Sequence, residues 1–103
     1  MSYQIAIFKQ FHKAVKKLRR SGKPQIVVVI EEVVQLLKQS DEDVRTRWML
    51  FHQWKDHPLR GGHREKRELH LDQDILLLYR RDEERKLIEL LDIVSHEELR
   101  KKR

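Results

Sequence analysis

The apolar residues of this chain keep a helical period from residue 9 to about residue 37 and an extended one from residue 55 onward, and that change limits the fold more than any other feature. In Lys9–Arg20, Phe11, Ala14, Val15 and Leu18 fall at the i, i+3, i+4, i+7 spacing of an amphipathic helix. Ser21-Gly22 ends that helix, and Pro24 suits the first turn of a second. Ile26 to Ile30 is a β-branched run that local propensity would also allow as a strand. Ile26, Val29, Ile30, Val33, Val34 and Leu37 nevertheless share one helical face, over a span too long for an ordinary strand. Ser40-Asp41-Glu42-Asp43 reads as a helix stop or a new cap, and Val44, Trp48 and Phe51 as one face of a third, short helix.

Extended segments bracket this block. Ser2–Phe8 alternates as a first strand; Arg64–Leu71, Ile75–Arg80 and Lys86–Val94 follow as a meander with turns at Asp72-Gln73 and Arg81–Arg85. Pro58 and Gly61-Gly62 punctuate the junction, and Ser95 with Glu98 forms the capping box of a short basic tail helix. The expected architecture is α+β, in the order β-α-α-β-β-β with a short C-terminal helix, the two N-terminal helices packed on one face of a small, mainly antiparallel sheet. At 103 residues there is no room for a second core, so residues 1–103 are expected to form a single domain.

Charge and composition narrow the function classes. The net charge is +6 with 39% charged residues, a balance that favours polyanionic or acidic partners. Lys9 to Lys23 holds seven Lys or Arg and no acid, which reads either as a solvated face or as a nucleic-acid or ribosome surface. The absence of cysteine excludes a disulfide framework, a thiolate zinc site and a Cys nucleophile. Met1 to Phe8 lacks the features of a signal peptide and no apolar run approaches a membrane span, so a soluble cytoplasmic protein without membrane contact is expected. There is no Gly-rich phosphate loop, Ser-His-Asp order or recognition-helix pattern, and Trp48 and Trp54 suit packing better than base stacking.

Six histidines are many for this length, and His57, His70 and His96 fall in the extended half beside charged neighbours. Two imidazoles suit RNA cleavage near neutral pH: one takes the proton of a ribose 2′-OH while the other protonates the leaving 5′-oxygen. Asp74, four residues after His70, is placed to orient one of them. Residue types alone do not single out this chemistry, since a histidine near a strand end is usually a polar surface group. A metal site from His57, His63 and His70 is disfavoured by irregular intervals and the lack of a carboxylate at a recognised ligand spacing.

One stretch sharpens the reading. Lys55-Asp56-His57-Pro58-Leu59-Arg60-Gly61, then Arg67-Glu68-Leu69-His70, Asp74, Leu77-Leu78-Tyr79-Arg80 and a later His96 together resemble the YafQ branch of the RelE/ParE toxin superfamily. The resemblance implies a toxin of a bacterial type II toxin-antitoxin pair that cuts mRNA on the ribosome, needs no cofactor or metal, and is neutralised by a cognate antitoxin in a higher-order complex. It implies that His57, His70, Asp74 and His96 form the acid-base cluster, with Arg67 a phosphate contact and Arg80 or Arg81 stabilising charge. Two alternatives carry the same fold: a non-enzymatic ParE-like inhibitor of DNA gyrase, and a degenerate antitoxin-binding regulator. The chain departs from the family pattern at Gln73 and Ile75, where Pro and Trp are usual, and at Leu99 and Arg100, where an aromatic is usual.

Overall fold

The computed structural model describes residues 2–40, 44–59 and 66–98. Its elements are β1 (Gln4–Ile7), α1 (Lys9–Arg20), α2 (Pro24–Gln39), α3 (Val44–Trp54), β2 (His57–Pro58), β3 (Lys66–His70), β4 (Ile75–Asp82) and β5 (Leu87–Ser95). Together the strands make one five-stranded sheet in the order β1-β5-β4-β3-β2. The pair β1–β5 is parallel and the others are antiparallel, so the sheet is mixed.

The helices form where the periodicity places them. α1 has the expected bounds and buries Phe11; α2 buries Ile26, Val27, Ile30, Val33 and Leu37, so a continuous apolar face overrides the weak helix propensity of its β-branched run. Phe11, Ile26, Ile30, Val33 and Leu37 meet Leu69, Leu77, Tyr79, Ile88 and Leu90 of the sheet in the main core. The other sheet face carries a smaller cluster, Leu59, Leu76, Leu78 and Val94, to which none of α1–α3 contributes.

Several details depart from the sequence expectation. α3 is a full 11-residue helix, and it turns Thr46 and Leu50 inward while Val44, Trp48 and Phe51 stay 81%, 61% and 59% exposed. Arg47 holds that roll, donating from Nε to the Ser40 carbonyl at 2.5 Å and from Nη2 to the Tyr3 hydroxyl at 3.0 Å. The short strand β2 adds a sheet edge that no alternation announced, because only two residues pair.

Arg81 and Asp82 belong to β4 rather than to the following turn, for Arg81 is fixed beneath Ser40 Oγ at 2.7 Å and faces Ile88 across the sheet. Lys86, expected in the last strand, is instead a turn residue with φ +50°. Leu71 leaves β3 for a wider bend, which Asp72 closes by accepting the Asp74 and Ile75 amides at 2.8 and 2.7 Å. The tail cap forms as expected: the Glu98 amide donates to Ser95 Oγ at 3.1 Å and the Ser95 amide to Glu98 Oε1 at 3.3 Å. His63, Leu99, Arg100 and the rest of the basic tail lie outside the described residues.

Candidate active site on the second face of the sheet

Successive residues of a strand point to opposite faces, and this rule divides the Arg67-Glu68-Leu69-His70 motif. Leu69 enters the main core. Lys66, Glu68 and His70 alternate with it, opposite Arg80, Leu78 and Leu76 of β4, and therefore share the face of the smaller apolar cluster. His57 pairs directly with Glu68 across β2–β3 and lies on that same face.

His57 is aimed by the chain that delivers it. After α3 the backbone reverses at Lys55, a non-glycine residue at φ +53°, and the Asp56 amide reaches back to the Leu50 carbonyl at 3.0 Å. The Lys55 carbonyl then lies 2.5 Å from His57 Nδ1. A carbonyl only accepts, so Nδ1 carries a proton and donates it. Nε2 contacts Glu68 Oε1. Glu68 is buried, and its second oxygen, Oε2, has no hydrogen-bond partner among the described residues.

The three rings of the sequence-predicted set stand in a row. His57 and His70 have centroids 5.4 Å apart, and His70 and His96 5.2 Å apart. His96 is brought there by the bend before β4, since its amide donates to the Asp74 carbonyl at 3.0 Å. His70 is held below its ordinary pKa, first by partial burial and then by the neighbouring His57 and His96, against an opposing pull from Glu68. Its neutral form is thus favoured, the state a general base requires.

Other predicted residues are placed differently. Asp74 contributes its main-chain carbonyl; its carboxylate makes no hydrogen bond to His70 or His96 among the described residues. Arg67 turns to the helix side, where Nε donates to Asp56 Oδ1 at 3.0 Å, and the buried Tyr79 hydroxyl donates to that same oxygen at 2.7 Å. Burial, then Asp56, raises the Tyr79 pKa and keeps the phenol a donor. Arg80 lies one register step from the cluster on the same face but is paired with Glu89 at 2.7 Å. Arg81 lies over the Tyr3 and Tyr79 rings, 5.0 and 5.9 Å from their centroids, on the helix-covered face away from the histidines.

Two residues escaped the sequence reading, Glu68 and Lys66. The signal was available, because the alternation that puts His70 on this face also puts them there. His57, Glu68 and His70 offer ligand atoms all within 4.8 Å of one another, a spacing that could hold a metal ion. The carboxylate missing from a histidine-only set is therefore Glu68, supplied across the sheet and not by sequence interval.

Residues 3–101 match the model of a family described as the bacterial toxin of type II toxin-antitoxin system, YafQ. A metal-bound toxin from Helicobacter pylori is 32% identical, with 94% of this chain and 98% of that one covered at a TM-score of 0.75. Two more distant structures share the fold. The E. coli DinJ-YafQ toxin-antitoxin complex is 23% identical, covering 96% and 98% of the two chains at a TM-score of 0.75. The archaeal RelE-RelB complex from Pyrococcus horikoshii OT3 is 18% identical, covering 92% and 96% at 0.67. No curated protein matches the sequence.

Proposed function

The chain belongs to the YafQ family of toxins from bacterial type II toxin-antitoxin systems, and from that membership we propose that it is a ribosome-dependent mRNA endoribonuclease. The observation that carries this reading is the row His57–His70–His96, with ring centroids 5.4 and 5.2 Å apart and a neutral-favoured imidazole at its centre. His70 takes the proton of the ribose 2′-OH as O2′ bonds to phosphorus; the P–O5′ bond breaks, and protonated His96 gives its proton to the leaving O5′. The products are a 2′,3′-cyclic phosphate and a 5′-OH. Lys66, on the same face, presents positive charge to the phosphorane-like transition state, and Glu68 orients His57 beside it. Asp74 positions His96 through its carbonyl. The ribosome supplies strand orientation, a proximity effect worth several kcal/mol, so naked RNA is a poor substrate.

This chemistry uses only protein groups and proceeds without a metal cofactor. An antitoxin is the expected protein partner, in line with the complexes that DinJ-YafQ and RelE-RelB form. A ribosomal substrate places the activity in the cytoplasm, and no helix among the described residues is long and apolar enough to cross a membrane.

The test is 5′-end mapping of a labelled mRNA on purified ribosomes, with and without protein and in the presence of EDTA, together with analysis of the new 3′ ends. Ribosome-dependent cuts that persist in EDTA and leave cyclic phosphate support the reading. A protein that arrests growth yet leaves mRNA intact overturns it in favour of a gyrase-type target.

A further inference from the structure

His96 meets the bend before β4 through a main-chain acceptor, the Asp74 carbonyl, at 3.0 Å. Any residue at position 74 would supply that carbonyl, so its placement depends on the group that holds it. The peptide unit that carries it runs from the Asp74 C=O to the Ile75 N–H, and the Ile75 amide donates to Asp72 Oδ1 at 2.7 Å. The unit is trans and planar, with its C=O and N–H pointing in opposite directions. One rigid plane therefore spans the space between the Asp72 carboxylate and the His96 backbone.

The second bond of Asp72 bears on the same point. Asp74 stands one step beyond the Ile75–Ser95 pair, opposite His96. Residues so placed in an antiparallel ladder exchange two bonds. Here the His96 amide donates to Asp74, but the Asp74 amide is taken by Asp72 Oδ1 at 2.8 Å. The ladder ends at His96 on a single bond, and the chain turns there into the capping box of Ser95 and Glu98.

A carboxylate that closes a turn is usually no more than a turn former. The ends of this bend, however, are held without it. The Leu71 amide donates to the Ile75 carbonyl at 2.8 Å, and both side chains are buried in the main core. Gln73 brings no proline ring to fix φ inside the bend. What Asp72 adds is the orientation of the Asp74–Ile75 peptide, and the group beyond the bend bonded to that peptide is His96. At the other end of β4, Asp82 Oδ1 closes the next turn in the same manner, accepting the Arg85 amide at 3.0 Å, far along the strand from the bend that holds His96.

We propose that Asp72 is a positioning residue for the cleavage reaction: through the Asp74–Ile75 peptide it holds the His96 backbone, and so keeps that imidazole at the end of the row, 5.2 Å from His70, where it protonates the leaving O5′. The catalytic purpose rests on the nuclease reading above; the hold on His96 does not.

Two readouts test it on wild type, Asp72→Ala, Asp72→Asn and the matched control Asp82→Ala. The first is hydrogen exchange of the His96 amide, followed by NMR on the free protein. Asp72→Ala speeds exchange of that amide about tenfold or more, while the amides of Leu76 and Val94, the next pair along the ladder, keep their protection. Asp72→Asn, whose side-chain oxygen accepts the same two bonds, stays near wild type, as does Asp82→Ala. The second is single-turnover cleavage on the ribosome, with an ordinary mRNA and with one whose scissile O5′ is replaced by sulfur, a leaving group that departs as thiolate without a proton. Asp72→Ala slows the ordinary substrate by up to about 10²-fold, the cost of a small misplacement, with the half-saturating protein concentration within a few-fold of wild type. On the sulfur substrate it cuts at the wild-type rate, as does His96→Ala, whereas His70→Ala is slow on both.

A His96 amide that keeps its protection in folded Asp72→Ala overturns the proposal, as does an unchanged rate on the ordinary substrate. A defect that persists on the sulfur substrate, or that Asp82→Ala shares, also overturns it, by marking a general loss of structure. A wild type that cuts neither substrate sinks the nuclease reading, and the exchange pattern then still upholds or overturns the hold on His96.

Discussion

Asp56 and His57 are consecutive, as are Arg67 and Glu68, yet the first of each pair serves one side of the sheet and the second the other. On the helix side Asp56 Oδ1 accepts from both Arg67 and Tyr79, next to the main core. On the second side a buried carboxylate meets His57 through one oxygen and keeps the other without a partner among the described residues, and His70 is biased to its neutral form. A closed network of this kind stabilises, because each desolvated group has met its partner. The unfinished one has hydrogen-bonding and proton-transfer capacity left for a substrate. One short motif therefore interleaves structure with chemistry at the period of a strand.

The largest expected effect breaks the chemical side alone. His70→Ala lowers single-turnover cleavage by about 10²–10⁴-fold, the usual range for loss of a general base, and moves the urea midpoint far less than a break in the Asp56 network does. Breaking the structural side does the reverse: Asp56→Ala strands Arg67 and the Tyr79 hydroxyl and costs about 3 kcal/mol in urea unfolding, with the rate per folded molecule within a few-fold of wild type. Tyr79→Phe sharpens the contrast, since it removes one hydrogen bond for about 1 kcal/mol and no activity.

Smaller effects lie in pH dependence. Glu68→Gln removes the carboxylate that opposes the lowering of the His70 pKa, so the acidic limb of the cleavage profile moves to lower pH. The linkage sign for His70 follows from its direction. With a folded pKa below the unfolded 6.5, its contribution to stability is complete above pH 6.5 and lost as pH falls through the folded value. His70→Gln therefore shows a shallower loss of stability below pH 6.5 than wild type, a slope difference readable by unfolding at several pH values.

How much of this could be read from residues alone depends on whether the pattern was one-sided. α1 has a single apolar stripe against an all-basic remainder, and its bounds follow directly. α3 has apolar residues on two sides, so its roll depends on Arg47 finding Ser40 and Tyr3, contacts that no local pattern encodes. The histidines were legible as residue types and through family resemblance, and their row was not, because β2 is too short to announce its pairing. The family resemblance implies that Arg67 is a phosphate contact; only the pleat, and Asp56 eleven residues away, reveals its structural engagement. Asp74 was legible by its nearness to His70, but it meets His96 through its carbonyl, a group that every residue carries.

These predictions turn on the proposal that the histidine row performs acid-base cleavage with His70 as the neutral base. It is tested by the single-turnover rate of ribosome-bound mRNA cleavage as a function of pH, for wild type and His70→Ala. The expected wild-type profile is bell-shaped, with its rising limb below pH 6.5, and the variant loses that limb. A rate independent of pH, or a rising limb that His70→Ala retains, would contradict it.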